Sequence, residues 1–307
     1  MALAAGDRVA LVATAGPIVP ANLARAQDLL RSWDLVPVTY PSASARHHRA
    51  NYLAGTDEQR AADLQDAWCD PATRAIFCLR GGYGTTRLLD RLDVAAMAGA
   101  APKPVLGSSD VTALHAWLAD VLGPAAPTVA WFSPMLASAA LLDDEAATRS
   151  LHAALFAPDE PVTVRGPGTT VLAAGPDVAG PLVGGTVALL ASTLGAGARP
   201  DHRGAIALLE DVGEQVYQLD RYLVALLRAG WFDGVAGIAL GSWKDCAPVD
   251  DVHALVLELL GPLGVPIVGE LGFGHGPAAP TLPLGTGVLR SASAAEAALI
   301  CSSRTPG

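Results

Sequence analysis

Cysteine, aromatic residues and positive charge are all scarce in this chain, and each scarcity narrows what it can be. The four cysteines in 307 residues, Cys69, Cys78, Cys246 and Cys301, form no CxxC pair and no zinc-ligand spacing. The pattern therefore calls for neither a disulfide framework nor a structural metal. Cys78, inside Ile76-Phe77-Cys78-Leu79, reads as a small core residue. Lys and Arg total 20 against 30 acids, giving a net charge of −10 with no basic run. A surface that neutralises nucleic-acid phosphates is thereby excluded. GxGxxG, Walker and GxSxG patterns are absent, which weakens a dinucleotide-dependent oxidoreductase reading. No basic end followed by an apolar core opens the chain. Two uncharged stretches, 121–142 and 178–198, have the length of a bilayer span. Pro124, Pro127 and Pro134 interrupt the first, and Gly180, Pro181, Gly184, Gly185, Gly195 and Gly197 the second. Both read as buried strand–turn–helix, so the expectation is a cytoplasmic protein without membrane contact.

What is present is apolar bulk: 51% of residues are hydrophobic, and Ala and Gly are abundant. The length suits two domains. Strand patterns over 8–14, 35–39, 74–79 and 104–107 alternate with helical patterns over 21–33, 56–68 and 110–122, which predicts parallel pairing through right-handed crossovers. Thr56 is placed to cap the second of these helices. The texture changes near Pro158, with short strands at 161–165 and 170–174. Helices at 186–194, 214–227 and 252–260 then alternate with strands at 205–209, 237–240 and 265–268, and late strands follow at 279–284 and 297–301. The division expected is 1–160, a connection at 161–180, and 181–307.

Three of these apolar runs end on a reactive side chain. Val105-Leu106 leads into Gly107-Ser108-Ser109-Asp110, Ala205-Ile206-Ala207-Leu208-Leu209 into Glu210-Asp211, and Val265-Pro266-Ile267-Val268 towards Gly272-Phe273-Gly274-His275. Ligands and chemistry gather at the carboxyl ends of strands in open α/β sheets. A hydroxyl, a carboxylate and an imidazole there are the components of nucleophilic hydrolysis. Ser before Asp at a helix start is also ordinary capping, and on that segment alone capping is the commoner role. Arg80-Gly81-Gly82-Tyr83-Gly84 permits close backbone approach and suits an oxyanion site, a phosphate cradle or a plain turn. Asp211 and Glu214 read as acids favouring the start of the next helix, whereas Glu210 continues the buried run and needs a partner. Of seven histidines, only His275 follows a strand within a Gly-rich turn.

These four segments resemble, in order and spacing, the LD-carboxypeptidases, the serine peptidases of muramoyltetrapeptide carboxypeptidase and microcin-immunity type. Leu53-Ala54-Gly55-Thr56-Asp57 with Arg60, and Asp220-Arg221-Tyr222-Leu223, extend the resemblance over nearly the whole chain. It implies an α/β fold: an N-terminal parallel-sheet (flavodoxin-like) domain and a C-terminal α/β domain, with the active site between them. By position, it implies Ser109 as nucleophile, His275 as base and Glu210 as its orienting acid. The backbone N–H groups of Asp110 and Gly82 would hold the oxyanion, and Arg80, Gly81 and Tyr83 would bind substrate. The implied substrate is a murein tetrapeptide losing its terminal D-alanine, with no metal or cofactor, in a homodimer. The rival reading is a microcin-immunity-like amidase acting on peptide–nucleotide antibiotics, for which Trp131 and Trp243 are candidate stacking residues although core is the commoner role. A non-catalytic ligand-binding protein of the same fold is the more distant alternative. Three positions depart from the family pattern: Ser108 before the nucleophile, Ser133 before Pro134, and Thr186 after Gly184-Gly185.

Overall fold

The computed structural model describes residues 2–123, 129–196 and 201–303. Pro124, Pro127, Gly197 and Ala198, on which part of the reading of the uncharged stretches rests, lie outside the described residues. Strands β1 (Arg8–Val12), β2 (Val36–Thr39), β3 (Thr73–Cys78), β4 (Val105–Gly107) and β5 (Ala130–Phe132) form a parallel sheet in the order β2-β1-β3-β4-β5. Successive strand residues face opposite sides, and both sides are covered. Leu11 and Phe77 pack on one face beneath α1 (Pro20–Ser32) and, further on, α5 (Ala139–Leu142) and α6 (Glu145–Phe156). Val12, Ile76 and Cys78 pack on the other, against α2 (Asp57–Cys69), α3 (Val94–Gly99) and α4 (Thr112–Leu122). Thr56 caps α2 as its sequence predicts, Oγ1 accepting from the Gln59 N–H at 3.2 Å. Ser109–Val111 makes a 3-10 turn, so α4 begins later than the helix expected from Asp110.

The second sheet contains β6 (Val162–Val164), β7 (Thr170–Ala173), β8 (Val178–Thr186), β9 (Ile206–Val212), β10 (Gly237–Lys244), β11 (Ile267–Gly269), β13 (Thr286–Arg290) and β14 (Ala298–Ser302), with β12 (Leu282–Pro283) outside it. Their order is β6-β14-β13-β8-β9-β10-β11-β7, with β8 to β11 mutually parallel and the flanking pairs antiparallel. Helices α7 (Val187–Ser192), α8 (Val216–Arg228) and α9 (Val249–Leu260) cover one face. β12 crosses to the first sheet, antiparallel to β5 with Leu282 opposite Phe132. β13 is not among the expected strands, because Gly285 and Gly287 break the apolar run that would announce it. Among the described residues, no helix is long and apolar enough to cross a membrane.

The second half corrects two expectations. β9 runs on through Val212, so Glu210 and Asp211 lie inside a strand rather than beyond its end. Thr186 pairs with Glu210 on one side and Trp243 with Asp211 on the other. Asp211 is not a helix-start acid of α8, which opens on a Gln215–Gln218 capping box with no acid in its first turn. Its Oδ2 instead accepts from the Ala188 N–H at 2.8 Å, at the start of α7. The alternation of an extended strand explains this, since neighbouring residues point to opposite faces.

Candidate active site

Ser109 follows β4 with a φ of 56°, a left-handed conformation that few non-glycine residues adopt. Ser108 before it is extended and buried, its N–H directed to the Met135 sulfur at 3.2 Å. No side-chain capping bond is made at the start of the 3-10 turn or of α4, so the capping alternative for this segment is not realised. What remains is a sharp strand-to-helix elbow that presents Ser109 at a partly exposed tip.

The glycine turn lies directly against this elbow. A Cβ on Gly81 would stand 2.9 Å from Ser109 Cβ and 3.0 Å from its Oγ, so only glycine fits. The Gly81 carbonyl accepts from the Gly16 N–H at 3.1 Å. The trans peptide that follows turns the Gly82 N–H the opposite way. Asp110, fully buried, accepts from the Thr85 N–H at 2.7 Å and so ties the elbow to the far end of the turn. Burial pushes the Asp110 carboxyl up, against the Thr85 bonds and the Arg60 charge. Arg60 is itself wholly buried, donating to the carbonyls of Thr14 and Gly84 and to the Asp57 carboxylate. The Arg80 guanidinium lies over Gly16 and 3.4 Å from the position of a Cβ on Gly82. Tyr83 is half exposed beside Tyr52, with ring centroids 6.1 Å apart.

Glu210 and His275 are brought together. Glu210 is completely buried; Oε2 accepts from His275 Nδ1 at 2.7 Å and from the His275 backbone N–H at 3.2 Å. Oε1 accepts from the Thr186 hydroxyl at 2.6 Å. The His275 loop is pinned to β10, where Ser242 N–H donates to the Phe273 carbonyl and Ser242 Oγ accepts from the Gly276 N–H, both at 2.8 Å. Gly274 has a φ of 110°, and a side chain there would collide with the Glu210 carboxylate. Burial presses the His275 pKa down, but the hydrogen bond and charge of Glu210, helped by Asp211, more than offset it and hold it above the ordinary histidine value. With Nδ1–H committed to the carboxylate, Nε2 is the nitrogen left to move a proton.

Thr186, in sequence a departure from the family pattern, contacts Glu210 in the structure, and its adjacency to Gly184-Gly185 is the signal for it in the sequence. Ser133 is buried and accepts from Thr281 Oγ1 at 3.2 Å, linking the two halves of the chain. Trp131 lies in the core and Trp243 is half buried against another core cluster. His115 is buried on the Val105 carbonyl, and burial drives its pKa down to about 4. Among the described residues, no group of three or more His, Cys, Asp or Glu side chains is arranged to hold a metal ion.

Comparison with known proteins agrees along the chain. The model of the LD-carboxypeptidase N-terminal domain matches residues 9–126, and that of the LD-carboxypeptidase C-terminal domain matches 179–288. A carboxypeptidase homologue of Streptomyces coelicolor is 49% identical over 284 residues, covering 92% of this chain and 90% of the relative. The murein tetrapeptide carboxypeptidase of Pseudomonas aeruginosa is 35% identical over 280 residues, 88% of each. The crystal structure of muramoyltetrapeptide carboxypeptidase from Oxalobacter formigenes superposes with a TM-score of 0.79 at 27% identity, covering 98% of this chain and all 100% of that one. A structure of MccF with glutamyl sulfamoyl guanosine superposes with a TM-score of 0.85 over 100% of this chain and 98% of its own, at 20% identity, a likeness of fold.

Proposed function

The chain belongs to the LD-carboxypeptidase family, and from that premise we propose that it is a serine carboxypeptidase releasing terminal D-alanine from murein tetrapeptide in the cytoplasm. The observation that carries the reading is the wholly buried Glu210 carboxylate on His275 Nδ1 at 2.7 Å. A carboxylate so placed fixes the imidazole tautomer and stabilises the imidazolium that forms during acyl transfer. His275 Nε2 takes the Ser109 proton as Oγ attacks the carbonyl carbon of the L,D-peptide bond. The N–H groups of Asp110 and Gly82 receive the developing oxyanion. His275 then gives the proton to the departing D-alanine nitrogen, and water attacks the acyl-serine by the same relay. Arg80, lying over Gly16 and Gly82, is the cation for the substrate's terminal carboxylate, with Gly81 and Tyr83 as further substrate contacts. The active unit is a homodimer.

The test is incubation with L-Ala–D-Glu–diaminopimelate–D-Ala and mass spectrometry for released D-alanine, with Ser109→Ala as control. Absence of release by the intact protein overturns the reading. The likeness to MccF keeps an amidase acting on peptide–nucleotide conjugates as the second reading. Of its two candidate stacking residues, Trp131 is buried in the core and cannot stack on a base, whereas Trp243 is half buried. A peptidyl sulfamoyl nucleoside in a parallel assay separates the two.

A further inference from the structure

We infer that Thr186 is a positioning residue that holds the Glu210 carboxylate and sets it against the helix carrying the serine; this rests on the Ser109–Glu210–His275 reading. Glu210 is completely buried, and a buried carboxylate oxygen without a donor is strongly unfavourable. Oε2 is engaged by two N–H groups of His275, and the donor to Oε1 is the Thr186 hydroxyl at 2.6 Å. Thr186 is itself buried, at 2% exposure, so water does not readily replace it. Its backbone N–H donates to Thr112 Oγ1 at 3.2 Å, at the first residue of α4. One residue thus touches the helix behind Ser109 with its main chain and the His275 partner with its side chain. The preceding glycines make this approach feasible. Gly184 and Gly185 have φ of 117° and 142°, and a Cβ on Gly185 would lie 2.7 Å from Thr112 Oγ1. β-Branching at Thr186 limits χ1 and keeps the hydroxyl on the carboxylate.

The sign of the effect follows from charge. The hydroxyl stabilises the dyad most when it is net anionic, with Glu210 ionised and His275 neutral. Thr186→Val keeps the shape and removes the donor, so protonation of the dyad becomes easier. The acidic limb of kcat/KM should therefore move up by about half a pH unit or more. The plateau of kcat should fall roughly ten- to a hundredfold with KM little changed. Thr186→Ser restores the donor and should return the limb and most of the rate. The His275 ring titration followed by NMR gives the same shift without any turnover, so it reads the contact even if the hydrolase reading fails on Ser109→Ala. If Thr186→Val unfolds, Thr186→Ser against Thr186→Ala is the deciding pair by the same titration. An unmoved His275 titration, or a serine variant no better than the variant lacking a hydroxyl, overturns the inference.

Discussion

Ser109 occupies a backbone region that costs a non-glycine residue about 1–2 kcal/mol, and its neighbour Ser108 does not. Such strain persists where a side chain is needed. Ser109→Ala should lose at least about a thousandfold in kcat/KM while keeping its fold. Ser109→Gly should be equally inactive yet no less stable than Ser109→Ala, because glycine accepts the positive φ. Thermal melts beside rate measurements check both; a stable, active Ser109→Ala with an inactive Ser108→Ala would put the nucleophile one residue earlier. Glu210→Gln keeps the size and removes the charge that, with its hydrogen bond, raises His275. The acidic limb of kcat/KM should then shift to lower pH and the rate fall, whereas Glu214→Gln should leave the limb where it is. A limb unmoved in Glu210→Gln would mean the imidazole is tuned by another group. At this scale the approach of Glu210 to His275 was legible in that each closes or continues an apolar run. Thr186 was not, because a threonine hydroxyl acts only through whatever faces it across a strand pair.

Elements were legible where apolar periodicity runs uninterrupted, as in β1 with α1 and β3 with its glycine turn. They blurred where polar residues continue a strand. Glu210-Asp211 reads as a strand end because charge normally marks one, yet pairing with both β8 and β10 carries β9 through them. The consequence lies with Asp211, which caps α7 and whose carboxyl burial pushes up to about 7 from 3.8. A carboxyl raised in the folded state contributes stability below its unfolded pKa and loses it as pH rises through the folded one. Asp211→Asn should accordingly gain Tm relative to wild type as pH increases from about 4 to about 7. Calorimetry across that window checks it; a difference that is flat, or that runs the other way, would show that the native carboxyl is ionised throughout.

The α/β alternation and the parallel pairing of the first sheet followed from the chain's apolar rhythm, but its strand order and the links between the two halves did not. Beside the pairing of β12 with β5, these links include isolated polar and apolar contacts: Thr281 on Ser133, the Ala278 N–H on Asp144, and Phe132 edge-on to Phe273. Contacts of this kind carry no periodicity, so a sequence pattern cannot announce them. Together they should make unfolding one calorimetric transition, and two transitions separated by more than about 10 °C would mean the halves melt independently. Activity should survive prolonged chelation and desalting, since three spread-out segments already supply an acyl-transfer set; loss that zinc restores would sink the serine mechanism.

β12 bears on how the molecule is made. β5 is a short strand of the first sheet, and its outer edge is covered by Leu282, Pro283 and the Leu284 N–H on the Ala130 carbonyl, all encoded near the other end of the chain. A nascent polypeptide leaving the ribosome completes the five parallel strands long before that cover arrives. For this interval the edge offers unpaired N–H and carbonyl groups to any other extended segment. A chain that stops short of Leu282 would keep that template permanently, and its fate is self-association rather than a smaller soluble protein.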